Sequence, residues 1–186
     1  MKKQTNSKCN QFIYVLLLVL GMFTVFRFLQ SDTVNFFVYL TSAYALWRLS
    51  VSDIKTRTIS ALMANTAIVL IYLLRICTLC ILSSGNIPGF VVESLIVLFI
   101  FKVLSKFLRG KIENGDFDVA YIIYLSIGMT GLFYSFVIAC LLSIIFSLKI
   151  ILKEHKNLKS QSVPFIPYLY MGYMAVLLIA KEMIFI

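Results

Sequence analysis

Asp53 and Asp116 are the side chains of this sequence whose type and placement could do chemistry together. Asp53 stands in Ser52-Asp53-Ile54-Lys55-Thr56-Arg57-Thr58-Ile59, at the polar end of an apolar run, and Asp116 stands in Glu113-Asn114-Gly115-Asp116-Phe117-Asp118, where another apolar run begins. Two carboxylates at one depth on different helices suit an aspartyl hydrolase. One stays ionised and takes a proton from water; the other keeps a proton and polarises a carbonyl. Like charges held close cannot both ionise cheaply, which separates the two roles. The same residues also fit a plainer part, as acids at helix ends, where the N-terminal dipole favours negative charge.

The remaining candidates carry less. His155, the only histidine, lies in the basic stretch 149–159 without a second ligand or a nucleophile at a useful spacing, and reads as a solvated loop residue. Cys77 and Cys80 form a CxxC inside an apolar run, with no second pair and no His nearby. They read as small apolar filler rather than a metal or redox centre. No phosphate loop, HExxH or GxSxG is present. Neither a metal nor a cofactor is expected.

The elements that must position the aspartates are membrane helices. The chain has 186 residues, 61% hydrophobic and 13% charged, with a mean hydropathy of +0.95. Soluble domains are about 45–50% apolar and about 25% charged, so a soluble globule, a disordered tail and a free nucleic-acid-binding domain are excluded. Apolar segments fall at 11–30, 34–51, 61–83, 87–105, 117–128, 131–148 and 164–184. Most approach the ~20 residues that cross a bilayer core. The expected fold is all-α: a single polytopic transmembrane domain over residues 1–186, of about seven spans. Six would require fusing the fifth and sixth, which are separated only by Gly128-Met129-Thr130-Gly131. A tight helical hairpin is the preferred reading there, because two glycines punctuate strongly. The first run follows Lys2, Lys3 and Lys8 but has no small-residue cleavage site after it, so it reads as a retained span.

Charge sets the orientation. Lys2, Lys3 and Lys8, then Arg48, Lys55 and Arg57, then Lys102, Lys106, Arg109 and Lys111, then Lys149, Lys153, Lys156 and Lys159 fall on one side of a seven-span chain. They are fourteen of its 17 Lys and Arg residues. The connections on the other side carry none. The positive-inside rule therefore places the N-terminus in the cytoplasm and the C-terminus outside, with Asp53 and Asp116 at the cytoplasmic face. Arg75 and Glu93 lie within spans at nearly matching depths on consecutive helices, which suggests an intramembrane ion pair.

Three stretches resemble, in order, the motifs of the type IV prepilin peptidases, membrane aspartyl proteases of the GxGD class. Asp53-Ile54-Lys55-Thr56-Arg57-Thr58-Ile59 resembles D-x-[KR]-x-[KR]-x-I-P. Asn114-Gly115-Asp116 resembles the tail of GxGD, and Val163-Pro164-Phe165-Ile166-Pro167-Tyr168-Leu169 resembles [IV]-P-F-G-P-x-L. The resemblance covers residues 34–180. It implies cleavage of the basic leader of a prepilin or pilin-like precursor at the cytoplasmic face of the inner membrane, with Asp53 and Asp116 as the catalytic pair. Gly115 would let an extended substrate backbone approach, and Pro164 and Pro167 would shape a groove beside Asp116. On the residues alone, Gly115 serves equally as a loop-to-helix glycine, and the prolines as helix starters.

The sequence departs from the family at Glu113 (Gly in GxGD), Asp118 (usually Lys), Ser60 (Pro) and Ile166 (Gly). Asp118 would sit about 200° round a helix from Asp116, while Glu113 would share its face. Larger family members carry an N-terminal zinc-binding region and methylate the new N-terminus; with ten residues and one Cys before the first span, neither is expected here. The partners expected are the precursor protein and membrane lipid, not nucleic acid. Other readings of the same residues are an inactive relative, a non-enzymatic assembly subunit of a pilus or secretion system, or a small proton-coupled transporter.

Overall fold

The computed structural model describes residues 18–19, 21–22, 24–25, 33–56, 58–82, 86–108, 114–154 and 165–179. Every regular element among them is a helix. They are α1 (Thr33–Thr56), α2 (Ala61–Ile81), α3 (Ile87–Phe107), α4 (Asn114–Glu154) and α5 (Ile166–Ile179), and the described positions between 18 and 25 are also helical.

Long apolar runs favour helices here because hydrocarbon cannot satisfy an exposed peptide group. Punctuation comes from polar and ring residues. Asn86 caps α3, its side-chain oxygen accepting the Gly89 N–H at 3.0 Å, with Pro88 in the first turn. α5 opens on Ile166 with Pro167 as its second residue, where a missing N–H costs little.

The core lies between α1, the first arm of α4, and α5. Val38, Tyr39, Leu46 and Leu49 meet Ile122, Ile123 and Leu125 and the α5 residues Leu169, Tyr170, Tyr173 and Leu177, all buried. At Gly172 the backbones of α4 and α5 approach closely: a Cβ there would strike the Ser135 carbonyl oxygen and lie 3.3 Å from the Ala139 nitrogen. Across the same interface the Ser126 and Tyr173 hydroxyls share a 2.7 Å hydrogen bond. α2 and α3 are peripheral, and leave most of their surface outside the core.

α2, α3 and residues Gly115–Ser147 of α4 are long and apolar enough to cross a membrane. This is fewer than the seven segments read from the sequence, for three reasons. α1 carries Asn35, Thr41, Ser42, Arg48, Ser50, Ser52 and Asp53, which lower its hydropathy. The fifth and sixth segments are merged in α4. The first lies largely outside the described residues, and the described helix of the last, Ile166–Ile179, is apolar but short.

The link inside α4 is shorter than the four residues expected. Only Gly128 leaves helical geometry, at φ 74° and ψ −178°. Gly131 stays helical, its carbonyl accepting the Ser135 hydroxyl at 2.8 Å. The turn at Gly128 is sharp, because both arms of α4 reach the same short stretch of α5. Ser126 meets Tyr173, while beyond the break Ala139 lies beside Gly172 and Phe146 beside Tyr168. A straight helix would put residues 126 and 146 about 30 Å apart.

The expected Arg75–Glu93 ion pair does not form. Arg75 donates to Asn35 Oδ1 at 2.6 Å, on α1, and Glu93 accepts the Tyr124 hydroxyl at 3.0 Å, on α4. α2 and α3 each pack on α4 far more than on each other, so each charged residue finds its partner on a different neighbour.

Candidate functional site

Asp53 sits in the last turn of α1, 6% exposed. A web of hydroxyls folds the following residues back onto that turn. Ser52 Oγ donates to the Thr58 carbonyl at 3.1 Å, Thr56 Oγ1 bridges the Ser52 and Thr58 carbonyls at 2.9 and 3.0 Å, and Thr58 Oγ1 reaches Thr56 Oγ1 at 3.1 Å. Small β-hydroxyl residues do this readily, since their side chains compete with the backbone for local hydrogen bonds. The web aims Ile59 towards the start of α4 and sets Ser60 as the residue before α2, with φ −69° and ψ 109°. That φ lies within the range of a proline.

Gly115 and Asp116 occupy the first turn of α4, with Asp116 half-buried. A Cβ on Gly115 would run into the Ile59 side chain. The stretch that follows Asp53 and the stretch that holds Asp116 are therefore in contact, and glycine is what allows it.

The third stretch arrives from α5. The N–H of Ile166 donates to Asp53 Oδ2 at 3.3 Å. A helix N-terminus carries unsatisfied N–H groups and a partial positive charge, so a buried carboxylate there is stabilised by both. Pro167 is buried in the same turn, so the described end of the proline motif reaches Asp53 through the Ile166 N–H. Pro164 and Glu113 lie outside the described residues.

Asp118 is turned to a different neighbour. Its carboxylate pairs with Lys102 Nζ on α3 at 3.1 Å, beside Phe101 and Phe117. These residues, with Leu98, Ser105 and Tyr121, line a cavity of about 170 Å³. A larger apolar cleft of about 280 Å³ lies elsewhere, between α1, Tyr170 and the helical residues near position 21.

Asp53, Gly115, Asp116 and Pro167 thus lie at one end of the bundle, where α1 ends and α2, α4 and α5 begin. Sequence reasoning did not single out the hydroxyls of Ser52, Thr56 and Thr58, or the backbone donor of Ile166. The Ser/Thr density of 52–58 was the available signal for the first; nothing local in the sequence signals the second. Among the described residues no three His, Cys, Asp or Glu side chains come together to hold a metal ion, and Cys77, Cys80 and Cys140 are free thiols. Comparison with protein-family models, curated proteins and solved structures finds no match to this chain.

Proposed function

We propose that this chain is a membrane aspartyl endopeptidase that removes the basic leader of type IV pilin-like precursors. The observation that carries the reading is the convergence of three motif-like stretches on one end of the bundle. Ile59 lies against Gly115, and Ile166 hydrogen-bonds Asp53. Three stretches that are far apart in sequence and contiguous in space are what a site assembled from them requires.

In this reading the chain spans the inner membrane seven times. The two arms of α4 form separate spans, the N-terminus is cytoplasmic, and the site lies at the cytoplasmic edge. The fourteen basic residues on one side support that orientation. A precursor with a hydrophilic basic leader and an apolar helix presents its scissile bond at that boundary. One aspartate takes a proton from the attacking water while the other, protonated, donates to the scissile carbonyl oxygen. The tetrahedral intermediate then collapses, with the proton passing to the leaving amine, and no covalent enzyme intermediate forms. The pair titrates as a unit, so neither carboxyl is assigned the base. The half-exposed Asp116 meets substrate and water, and the buried Asp53 is held in place by α5.

The test is processing of a pilin-like precursor in membranes containing the full chain, read as a mobility shift. Leader release that is lost with Asp53→Asn and with Asp116→Asn supports the reading. Release that survives either change, or no release by the unmodified chain, overturns it.

A further inference from the structure

Two charged side chains lie far from the aspartates, towards the opposite end of the bundle. Arg75 is six residues before the end of α2 at Ile81, and Glu93 is six residues after the start of α3 at Ile87. Each is therefore about 9 Å along its helix from the short connection between them. They do not meet. One guanidinium nitrogen of Arg75 donates to Asn35, and one oxygen of Glu93 accepts from Tyr124. The other guanidinium nitrogens of Arg75 and the second oxygen of Glu93 have no hydrogen-bond or ion-pair partner among the described residues.

Glu93 is exposed, on the helix with the least buried surface of the three candidate spans. A carboxylate facing hydrocarbon is unfavourable unless it meets a counter-charge or water. Its own Arg75 is turned towards Asn35 on α1 and does not reach it, and no metal-holding group of acids forms around it among the described residues. A second copy of the chain offers the missing counter-charge. A two-fold axis along the membrane normal keeps every residue at its own depth. In an isologous contact, residue i of one copy meets residue j of the other, and the reverse. Two reciprocal Arg–Glu pairs therefore require the two residues to lie at equal depth, and Arg75 and Glu93 do. α2 and α3, which touch each other little, both leave most of their surface outside the core.

We infer that the chain forms a two-fold dimer in the membrane through the lipid-facing side of α2 and α3, with Arg75 of each copy paired to Glu93 of the other. The inference does not rest on the peptidase reading, because association is measured without substrate.

The experiment uses purified full-length protein carrying either of two affinity tags, mixed in mild detergent. Co-capture and light-scattering mass are the readouts. Unmodified copies should capture each other and show the mass of two chains. Arg75→Glu sets Glu against Glu across the axis, and Glu93→Arg sets Arg against Arg, so each alone should lose self-capture. Mixing the two variants makes every contact between copies Arg–Glu again and should restore capture, which an effect within one chain cannot do. The milder Glu93→Gln and Arg75→Gln variants, which keep side-chain length, should weaken association by roughly threefold to twentyfold, the range of single polar contacts between membrane helices. A monomeric mass for the unmodified chain overturns the inference. So does unchanged association of the Gln variants, or failure of the mixed pair to restore capture when both variants melt like the unmodified protein.

Discussion

One carboxylate oxygen of Asp53 accepts the N–H of Ile166 at 3.3 Å, across 113 residues of sequence. The contact gives Asp53 two consequences to separate. It anchors the start of α5 to the end of α1, and it fixes one carboxylate of the proposed catalytic pair. An acceptor oxygen suffices for the first, whereas a titratable group is needed for the second.

Asp53→Asn should therefore insert and melt within a few degrees of the unmodified protein while losing leader cleavage. Asp53→Ala should lose both cleavage and stability, because the Ile166 N–H is then left buried without an acceptor, at a cost of about 1–3 kcal/mol. Asp116→Asn should lose cleavage with little change in melting, since Asp116 is half-buried at a helix start. General acid–base catalysis contributes about 10²–10⁴-fold, so activity in either Asn variant should fall close to background. Asp118→Asn, whose carboxylate pairs with Lys102, should keep most activity. Loss with Asp118→Asn but not with Asp116→Asn would show that the wrong aspartate has been assigned.

Gly115 and Ile59 predict a paired effect. Alanine at 115 drives its methyl into the Ile59 side chain and must push the start of α4 away from the stretch after Asp53. Overpacking of this kind costs about 1–3 kcal/mol, unless the neighbour yields. Gly115→Ala should lower cleavage more than tenfold, and adding Ile59→Val should recover part of it by removing the terminal methyl that is struck. Cleavage by Gly115→Ala at the unmodified rate would mean that the contact does not set the site's geometry.

How far the sequence led can be judged from these residues. The helical class and the boundaries of α2 and α3 were legible, because apolar runs and their Asn, Pro and Ser punctuation act locally. The three motif stretches were legible as candidates because each is a short pattern. Their partners were not: which carboxylate receives the Ile166 N–H depends on how α5 packs. Matching depths suggested an Arg75–Glu93 pair, but depth says nothing about azimuth. α2 turned Arg75 towards Asn35, and α3 turned Glu93 towards Tyr124. The break between the fifth and sixth segments was legible from its glycines, but not that Gly128 alone makes it, without a four-residue link.

Topology has its own test. Reporter fusions at Gly85 and at the C-terminus should read as external, and one near Lys156 as cytoplasmic, if the two arms of α4 cross the membrane separately. A cytoplasmic C-terminus would reject seven spans and would place the start of α5 on the wrong face for Asp53.

Three glycines of α4 and α5 should rank by mechanism when each is changed to alanine and melting is followed in one detergent. Gly131→Ala should be the least costly of the three but still mildly destabilising. Its backbone is helical, where alanine is favoured over glycine by about 1 kcal/mol, but the new methyl would lie 2.7 Å from Ile127 Cδ1 and Cγ1 and 2.9 Å from Ile127 Cβ, which cannot rotate away. Gly128→Ala should destabilise by about 1–3 kcal/mol for a purely conformational reason: φ is 74° and ψ −178°, a region essentially confined to glycine, although nothing lies within 4 Å of an added Cβ. Gly172→Ala should be the most damaging. Its methyl meets the Ser135 backbone carbonyl, which cannot move without lifting α4 off α5, and that displacement also strains the Ser126–Tyr173 hydrogen bond. A small residue that lets two helix backbones approach is the usual basis of close packing in membranes. Melting of Gly172→Ala at or above that of Gly128→Ala would show that the α4–α5 contact is looser than its geometry indicates.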